Sequence, residues 1–222
     1  MALVYVKTNA ISFARRKTAM VHKGLNKEAV VKAAMKIIEE NGYENFSMRL
    51  LADKLGVKTA SLYNHVSSME ELYTEIGLHA LMLLKQMQLD SIGGRQKDDA
   101  VYALAESYRR FAKEHRELYK VIMGIPKVPN AILEEAAAQI IDPIMQVLSE
   151  YDIEKSAGMH WQRVLRSIMH GFISQEDAGY FSHFDVNTDE SYRVAIRCFL
   201  DGLHADGQKR RHDKQEREIY NG

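Results

Sequence analysis

The 222-residue chain is 46% hydrophobic, with 30 Lys+Arg against 30 Asp+Glu. It is long enough for one large or two small domains with a sizeable core. A single cysteine, Cys198, excludes an intramolecular disulfide and suits a reducing cytoplasm, no cluster of Cys and His offers zinc ligands, and no run of about 18 apolar residues is present to cross a membrane.

The zero net charge hides a division. Residues 1–66 carry 11 Lys+Arg and 5 Asp+Glu, and residues 67–222 carry 19 and 25, so the surplus is +6 at the front and −6 behind. Phosphate binding follows local positive charge, so the first third is the candidate partner for a polyanion. Three prolines, Pro126, Pro129 and Pro143, against many Ala, Leu, Met, Glu, Lys and Arg, predict an all-α fold.

Residues 1–24 have no clear period and read as a basic, disordered arm; either Met1 or Met20 can serve as the start. Arg15, Arg16 and Lys17 follow the apolar opening, the reverse of the order in a signal peptide. A first helix is predicted over 26–41, with Asn26 as N-cap and Gly42 as stop; Val30, Ala33, Ala34, Ile37 and Ile38 form its apolar face. Ser47 caps a short second helix that buries Leu51 and Leu55, Gly56 turns the chain, and a third helix is expected over 58–64.

That third helix has an unusual outer face. Leu62 points inward, while Lys58, Thr59, Ala60, Ser61, Tyr63 and Asn64 are left outside. Thr, Ser, Tyr and Asn are indifferent helix formers with good hydrogen-bonding groups, which a helix entering the major groove of DNA uses. A long fourth helix over 68–89 opens with Ser68 and Glu71 as a capping box, and its N-terminus carries partial positive charge that suits a phosphate. Further helices are expected near 97–114, 116–123, 131–149, 154–177 and 188–205, with Pro143 kinking or dividing the 131–149 stretch and 207–222 a frayed, charged tail.

From Leu25 to Ile76 this arrangement resembles the TetR family of bacterial transcriptional regulators. The elements that carry the resemblance are Asn41-Gly42-Tyr43, Ala52 with Gly56-Val57, Leu62-Tyr63-Asn64-His65, and Glu71-Leu72, at matching offsets. The resemblance implies a three-helix helix-turn-helix domain over 25–72 and a larger helical domain over 73–206 that dimerises and holds a small-molecule ligand. Carried onto this chain, the DNA-contacting positions are Ser47, Met48, Arg49, Lys58, Thr59, Ala60, Ser61, Tyr63, Asn64 and His65. Of these, Thr59, Ala60 and Ser61 lie nearest the bases, and Lys58, Tyr63 and His65 meet phosphates. Met69 stands where the family often has a lysine, which removes one phosphate charge per subunit.

Around Leu165-Arg166-Ser167-Ile168-Met169-His170-Gly171-Phe172-Ile173 and Gly202-Leu203 the chain is similar to one subgroup of the family, in the ligand-binding and dimerising region. The implied protein is a homodimer on a double-stranded, palindromic DNA operator, released by an unidentified effector, with no cofactor, metal or membrane partner. Eleven methionines and eleven tyrosines furnish adaptable apolar linings. The pocket candidates are Tyr102, Tyr108, Tyr119, Met123, Met145, Trp161, Met169 and His170. Trp161, Val164, Leu165, Ile168 and Phe172, with Val194, Phe199, Leu200 and Leu203, serve either a dimer seam or the monomer core. Catalysis finds little support: Glu134-Glu135 and Glu176-Asp177 are adjacent pairs whose members point to different helix faces. A helical interaction or ligand-sensing module without operator binding is the alternative.

Overall fold

A computed structural model describes residues 25–127 and 129–220; the basic arm lies outside the described residues. Ten α-helices account for most of them, and no strand occurs among them. The first, α1 (Lys27–Asn41), starts where the Asn26 side chain accepts the Ala29 N–H at 2.8 Å and ends at Gly42, whose φ of +85° few residues but glycine adopt. Val30, Val31, Ala34, Ile37 and Ile38 are buried; Ala33, expected among them, is half-buried.

Next, α2 (Met48–Leu55) is capped by the Ser47 hydroxyl, which accepts the Leu50 N–H at 3.2 Å. Gly56, in the left-handed region at φ +69°, closes it, and the Val57 N–H reaches back to the Ala52 carbonyl at 3.0 Å. The short α3 (Thr59–Leu62) follows, and then α4 (Met69–Ile92), where Ser68 Oγ accepts the Glu71 N–H at 3.0 Å. The expected boundary between residues 72 and 73 falls inside α4, so one rigid helix carries the front three helices and continues into the rest of the chain.

The body is built from α5 (Lys97–Glu114), α6 (Arg116–Gly124), α7 (Ala131–Ala138), α8 (Asp142–Leu148), α9 (Lys155–Asp177) and α10 (Thr188–Tyr220). Pro143 sits in the first turn of α8, where its missing N–H costs nothing, so the predicted 131–149 stretch is two helices joined by a 3₁₀ turn. α5 packs against α4, α6, α8, α9 and α10, and one apolar cluster runs without interruption from Val30 to Leu203.

Three expectations are corrected. The third helix ends at Leu62 instead of 64: the next residues close in tighter turns, His65 N–H to Leu62 O at 2.9 Å and Asn64 N–H to Ser61 O at 3.4 Å. α10 runs past 205 to Tyr220, through a stretch with no apolar stripe to announce it. Asp206 holds its middle by accepting Trp161 Nε1–H from α9 and pairing with Arg210, both at 3.0 Å. The third concerns Cys198, whose apolar neighbours Ile196, Phe199 and Leu200 would place it in the core: it is exposed on α10.

Sequence reading also missed a buried cation. Arg109 on α5 is 3% exposed, forks onto both oxygens of Glu176 at 2.6 and 2.9 Å, and reaches Asp189 at 2.8 Å. Its guanidinium lies 5.5 Å from the Phe172 ring centre and 5.0 Å from that of Tyr192. One side chain thereby ties α5 to the end of α9 and the start of α10. Its carboxylate partners lie 67 and 80 residues away, beyond any local spacing rule.

Candidate nucleic-acid interface and effector cavity

α2, the Gly56 turn and α3 form a helix-turn-helix whose inner side is closed by Leu51, Ala52 and Leu62, each at most 1% exposed. Ala52 lets the two short helices cross closely. On the outer side Arg49, Lys58, Ala60, Tyr63 and Asn64 are exposed, and Thr59, Ser61 and His65 are half-buried. Tyr63 is 49% exposed, a large value for a phenol on a packed helix. Among the described residues, the side chains of Arg49, Lys58, Thr59, Ser61, Tyr63, Asn64 and His65 make no hydrogen bond or ion pair. Polar groups of this density without internal partners form a surface ready to bond to something else.

One expected contact residue is corrected. Met48 is 7% exposed and belongs to the core beneath the first turn of α2, so its thioether does not reach that surface. Ser47 is exposed, and because its oxygen accepts from Leu50 its hydroxyl hydrogen stays free to donate. Lys54, by contrast, is engaged with Glu40 at 3.0 Å.

The start of α4 is less open to a phosphate than its sequence implies. The Glu71 carboxylate turns back and takes both the Ser67 N–H, at 2.6 Å, and the Ser67 hydroxyl. Lys27 of α1 meets Glu71 at 2.7 Å and Glu75 at 2.6 Å. The Lys27 ammonium first, and Ser67 next, hold the Glu71 carboxyl down to about 2. A carboxylate therefore already occupies the Ser67 donors, the Ser68 hydroxyl takes the Glu71 N–H, and Met69 is half-buried against the core.

Beside the start of α4 lies an open cavity of about 850 Å³. One wall is the 3₁₀ turn Tyr43–Asn45 after α1, the floor is the first half of α4 from Met69 to Gly77, and the far wall is α6 with Leu133 of α7. Tyr43 and Tyr73 pack at 5.1 Å between ring centres, and burial pushes both phenols above their ordinary pKa. Glu117 of α6 accepts the Tyr43 N–H at 3.3 Å and pairs with Lys120 at 2.5 Å, which lowers its pKa. The floor has no room to spare at Gly77, where a Cβ would lie 2.8 Å from Leu133 Cδ2. At Gly124, on the far wall, a Cβ would meet nothing within 4 Å.

None of the eight residues expected to line a pocket borders this cavity. Tyr108, Tyr119 and Met169 are buried in the core, where the large apolar surface of each is better satisfied by packing. The structure does bring three of the eight together. The Tyr119 hydroxyl lies 2.6 Å from His170 Nδ1 and 3.5 Å from the Tyr108 hydroxyl, the latter too long for a strong bond. Burial raises the Tyr119 pKa, so the hydroxyl stays protonated where it meets the His170 ring. Trp161 packs edge-on against Phe199 and bonds Asp206, while the Met145 methyl approaches Gly158. Tyr102 and Met123 are half-buried against the core. The sequence signal overlooked was the Tyr43 and Tyr73 pair beside Gly124: aromatic residues near a glycine on facing elements.

Residues 30–76 match the family model described as bacterial regulatory proteins, tetR family, and residues 101–199 match that of the tetracyclin repressor-like C-terminal domain. An uncharacterised helix-turn-helix-type transcriptional regulator of Bacillus subtilis, YobS, is 33% identical over 187 residues, which are 81% of this chain and 93% of that protein. The class D tetracycline repressor of Escherichia coli is 30% identical over 100 residues, 45% of each chain. A protein of unknown function from Rhodococcus sp. RHA1 superposes with a TM-score of 0.74 at 22% identity, over 83% of this chain and 98% of that one. With its partner-free polar face mounted on this turn, and with a relative that matches across nearly its whole length, the chain belongs to the TetR family of bacterial transcriptional regulators.

Proposed function

We propose that the protein is a homodimeric repressor that holds a palindromic operator through two copies of the α2–α3 unit and leaves it when a small-molecule effector binds. The observation that carries this reading is the outer face of α3 and its following turn, where the side chains of Lys58, Thr59, Ser61, Tyr63 and Asn64 have no partner within the described residues. Thr59, Ala60 and Ser61, at the start of α3, reach base edges, and Ser47, Arg49, Lys58, Tyr63, Asn64 and His65 bond to the backbone on either side. The likeness to the class D tetracycline repressor supports repression as the sign of regulation.

The working domains are the expected ones, 25–72 for DNA and 73–206 for dimerisation and effector binding. For the dimer seam, Val164 and Val194 remain on the surface of α9 and α10 at 43% and 37% exposure, with Cys198 one turn beyond Val194. Leu165, Phe199, Leu200 and Leu203, the alternative seam residues, are buried in the monomer. A symmetric pairing of α9 and α10 would set the two α3 helices one DNA turn, about 34 Å, apart.

In the test, purified protein is used to select fragments from genomic DNA, and its mass is measured in solution. Enrichment of an inverted repeat with half-sites about ten base pairs apart, together with a dimeric mass, is expected. Failure to enrich any sequence would remove the reading and leave a ligand-sensing module.

A further inference from the structure

The cavity beside the start of α4 has a composition that selects its occupant. Two tyrosine rings and the apolar side chains of Val121, Ile125 and Leu133 offer stacking and burial. Three carboxylates, Glu44, Glu70 and Glu117, face a single ammonium, Lys120, which is spent on Glu117. Glu44 and Glu70 carry no ion pair among the described residues. Surplus negative charge beside aromatic faces favours a cation with apolar flanks, through Coulomb attraction and cation–π contact together. The volume, about 850 Å³, suits a ligand of drug-like size.

We infer that this cavity between the 43–45 turn, the first half of α4 and α6 is a binding site for a small lipophilic cation, a quaternary or aromatic onium compound. Its consequence for DNA rests on the effector-release reading above. The site touches both parts of the chain: the 43–45 turn moves with α1, while α6 and α7 belong to the body. A cation seated between them draws Glu117 off the Tyr43 N–H, which it now accepts at 3.3 Å, and wedges the turn away from α6. The neighbouring contact of His115 Nδ1 with Glu39, at 2.6 Å, resists that motion. Binding therefore favours a different tilt of α1–α3 on α4, which is a differential affinity for two states.

The experiment compares tetraphenylphosphonium with tetraphenylborate, ions of nearly the same size and opposite charge, by calorimetry on the full-length protein. At least tenfold tighter binding of the phosphonium is expected. Gly124→Trp, which fills the cavity from a position with open space, should abolish it while circular dichroism is unchanged. Glu44→Gln combined with Glu70→Gln, two exposed changes that leave the fold alone, should weaken the phosphonium about tenfold and not weaken the borate. Equal affinity for the two ions, or phosphonium binding untouched by Gly124→Trp, overturns the assignment. Tighter phosphonium binding after Arg15→Gln, Arg16→Gln and Lys17→Gln together would give the cavity to the chain's own basic arm and equally overturn it. Operator release is read separately by anisotropy on a selected fragment. Charge-selective binding without any selectable operator would uphold the site and remove the regulator reading, so the two can fail apart.

Discussion

Arg109 offers the sharpest test of how the body is held, because removing it strands charge in a defined place. Arg109→Met keeps the length of the side chain and its packing between Phe172 and Tyr192 but deletes the guanidinium. Glu176, with 19% of its side chain exposed, loses two charge-assisted bonds and retains Lys113 at 3.0 Å. Asp189, 70% exposed, hydrates once freed and adds little. Breaking a buried pair from one side costs about 3–5 kcal/mol; with Lys113 remaining and one partner free to hydrate, about 2–3 kcal/mol is expected. Urea unfolding at fixed protein concentration measures it, since dimerisation would otherwise couple stability to concentration. Adding Glu176→Gln in the same background should recover about 1 kcal/mol by removing the stranded charge. The dependence on pH has a definite sign. Arg109 first, then Lys113, depresses the Glu176 pKa in the folded state, so this contribution is complete above the ordinary carboxylate value of 4.5 and is lost as pH falls from there through the depressed folded-state value. The difference between wild type and Arg109→Met should shrink in that window. A loss below about 0.5 kcal/mol at neutral pH would refute the clamp.

Four further outcomes are expected. Tyr63→Ala should weaken operator binding about tenfold in a gel shift while leaving helicity and mass unchanged, because its ring is half outside the fold; unaltered affinity would mean that α3 is not the reading element. Operator affinity should fall about 10³-fold between 50 and 200 mM salt if about six phosphates are neutralised per dimer, and a flat response would remove the electrostatic case. Gly56→Ala should cost about 1–2 kcal/mol in thermal unfolding from the positive φ alone, since a Cβ there meets nothing within 4 Å. Because the Glu71 carboxyl is held down to about 2, the joint it makes with Lys27 and Ser67 is intact above the ordinary 4.5 and weakens as pH falls below it. Glu71→Gln should therefore lose its effect on the thermal midpoint at acid pH, and an effect that persisted at pH 2 would contradict that assignment.

What was legible in the sequence was local. Asn26, Ser47 and Ser68 each cap the helix that their chemistry announced, and Gly42 and Gly56 each stand at positive φ where a stop was read. The exposed face at 58–64 was likewise deduced from residue types that a packed helix rarely places together. Errors arose wherever the deciding partner was distant. Met48 sits one residue from two exposed neighbours and was assigned with them, yet the core beneath claims it. α10 looked unsupported beyond 205 because the Trp161 that meets Asp206 lies 45 residues earlier. Composition also does not distinguish a pocket lining from a filled core, and Tyr108 and Met169 are packed in the core.

The same distinction governs where the proposed effector can act. A ligand enclosed by the α5–α9 core must displace side chains that are already packed, whereas the cavity beside α6 is open and borders the 43–45 turn that joins α1 to α2. Its two walls are joined by the Tyr43–Glu117 bond and, just above, by the Glu39–His115 contact, both of which cross from the α1 side to α6. Because α4 is unbroken across the boundary, a small change of angle at its first turns is carried outward to α3 without any linker to absorb it. A half-site read by Thr59 to Ser61 over about 3–4 base pairs, as proposed, would tolerate little misplacement. On the proposed function, a shift of a few ångströms at the 43–45 turn would separate a bound from an unbound dimer, and the coupling needed, about 1–3 kcal/mol, is within reach of one displaced hydrogen bond and one buried aromatic contact.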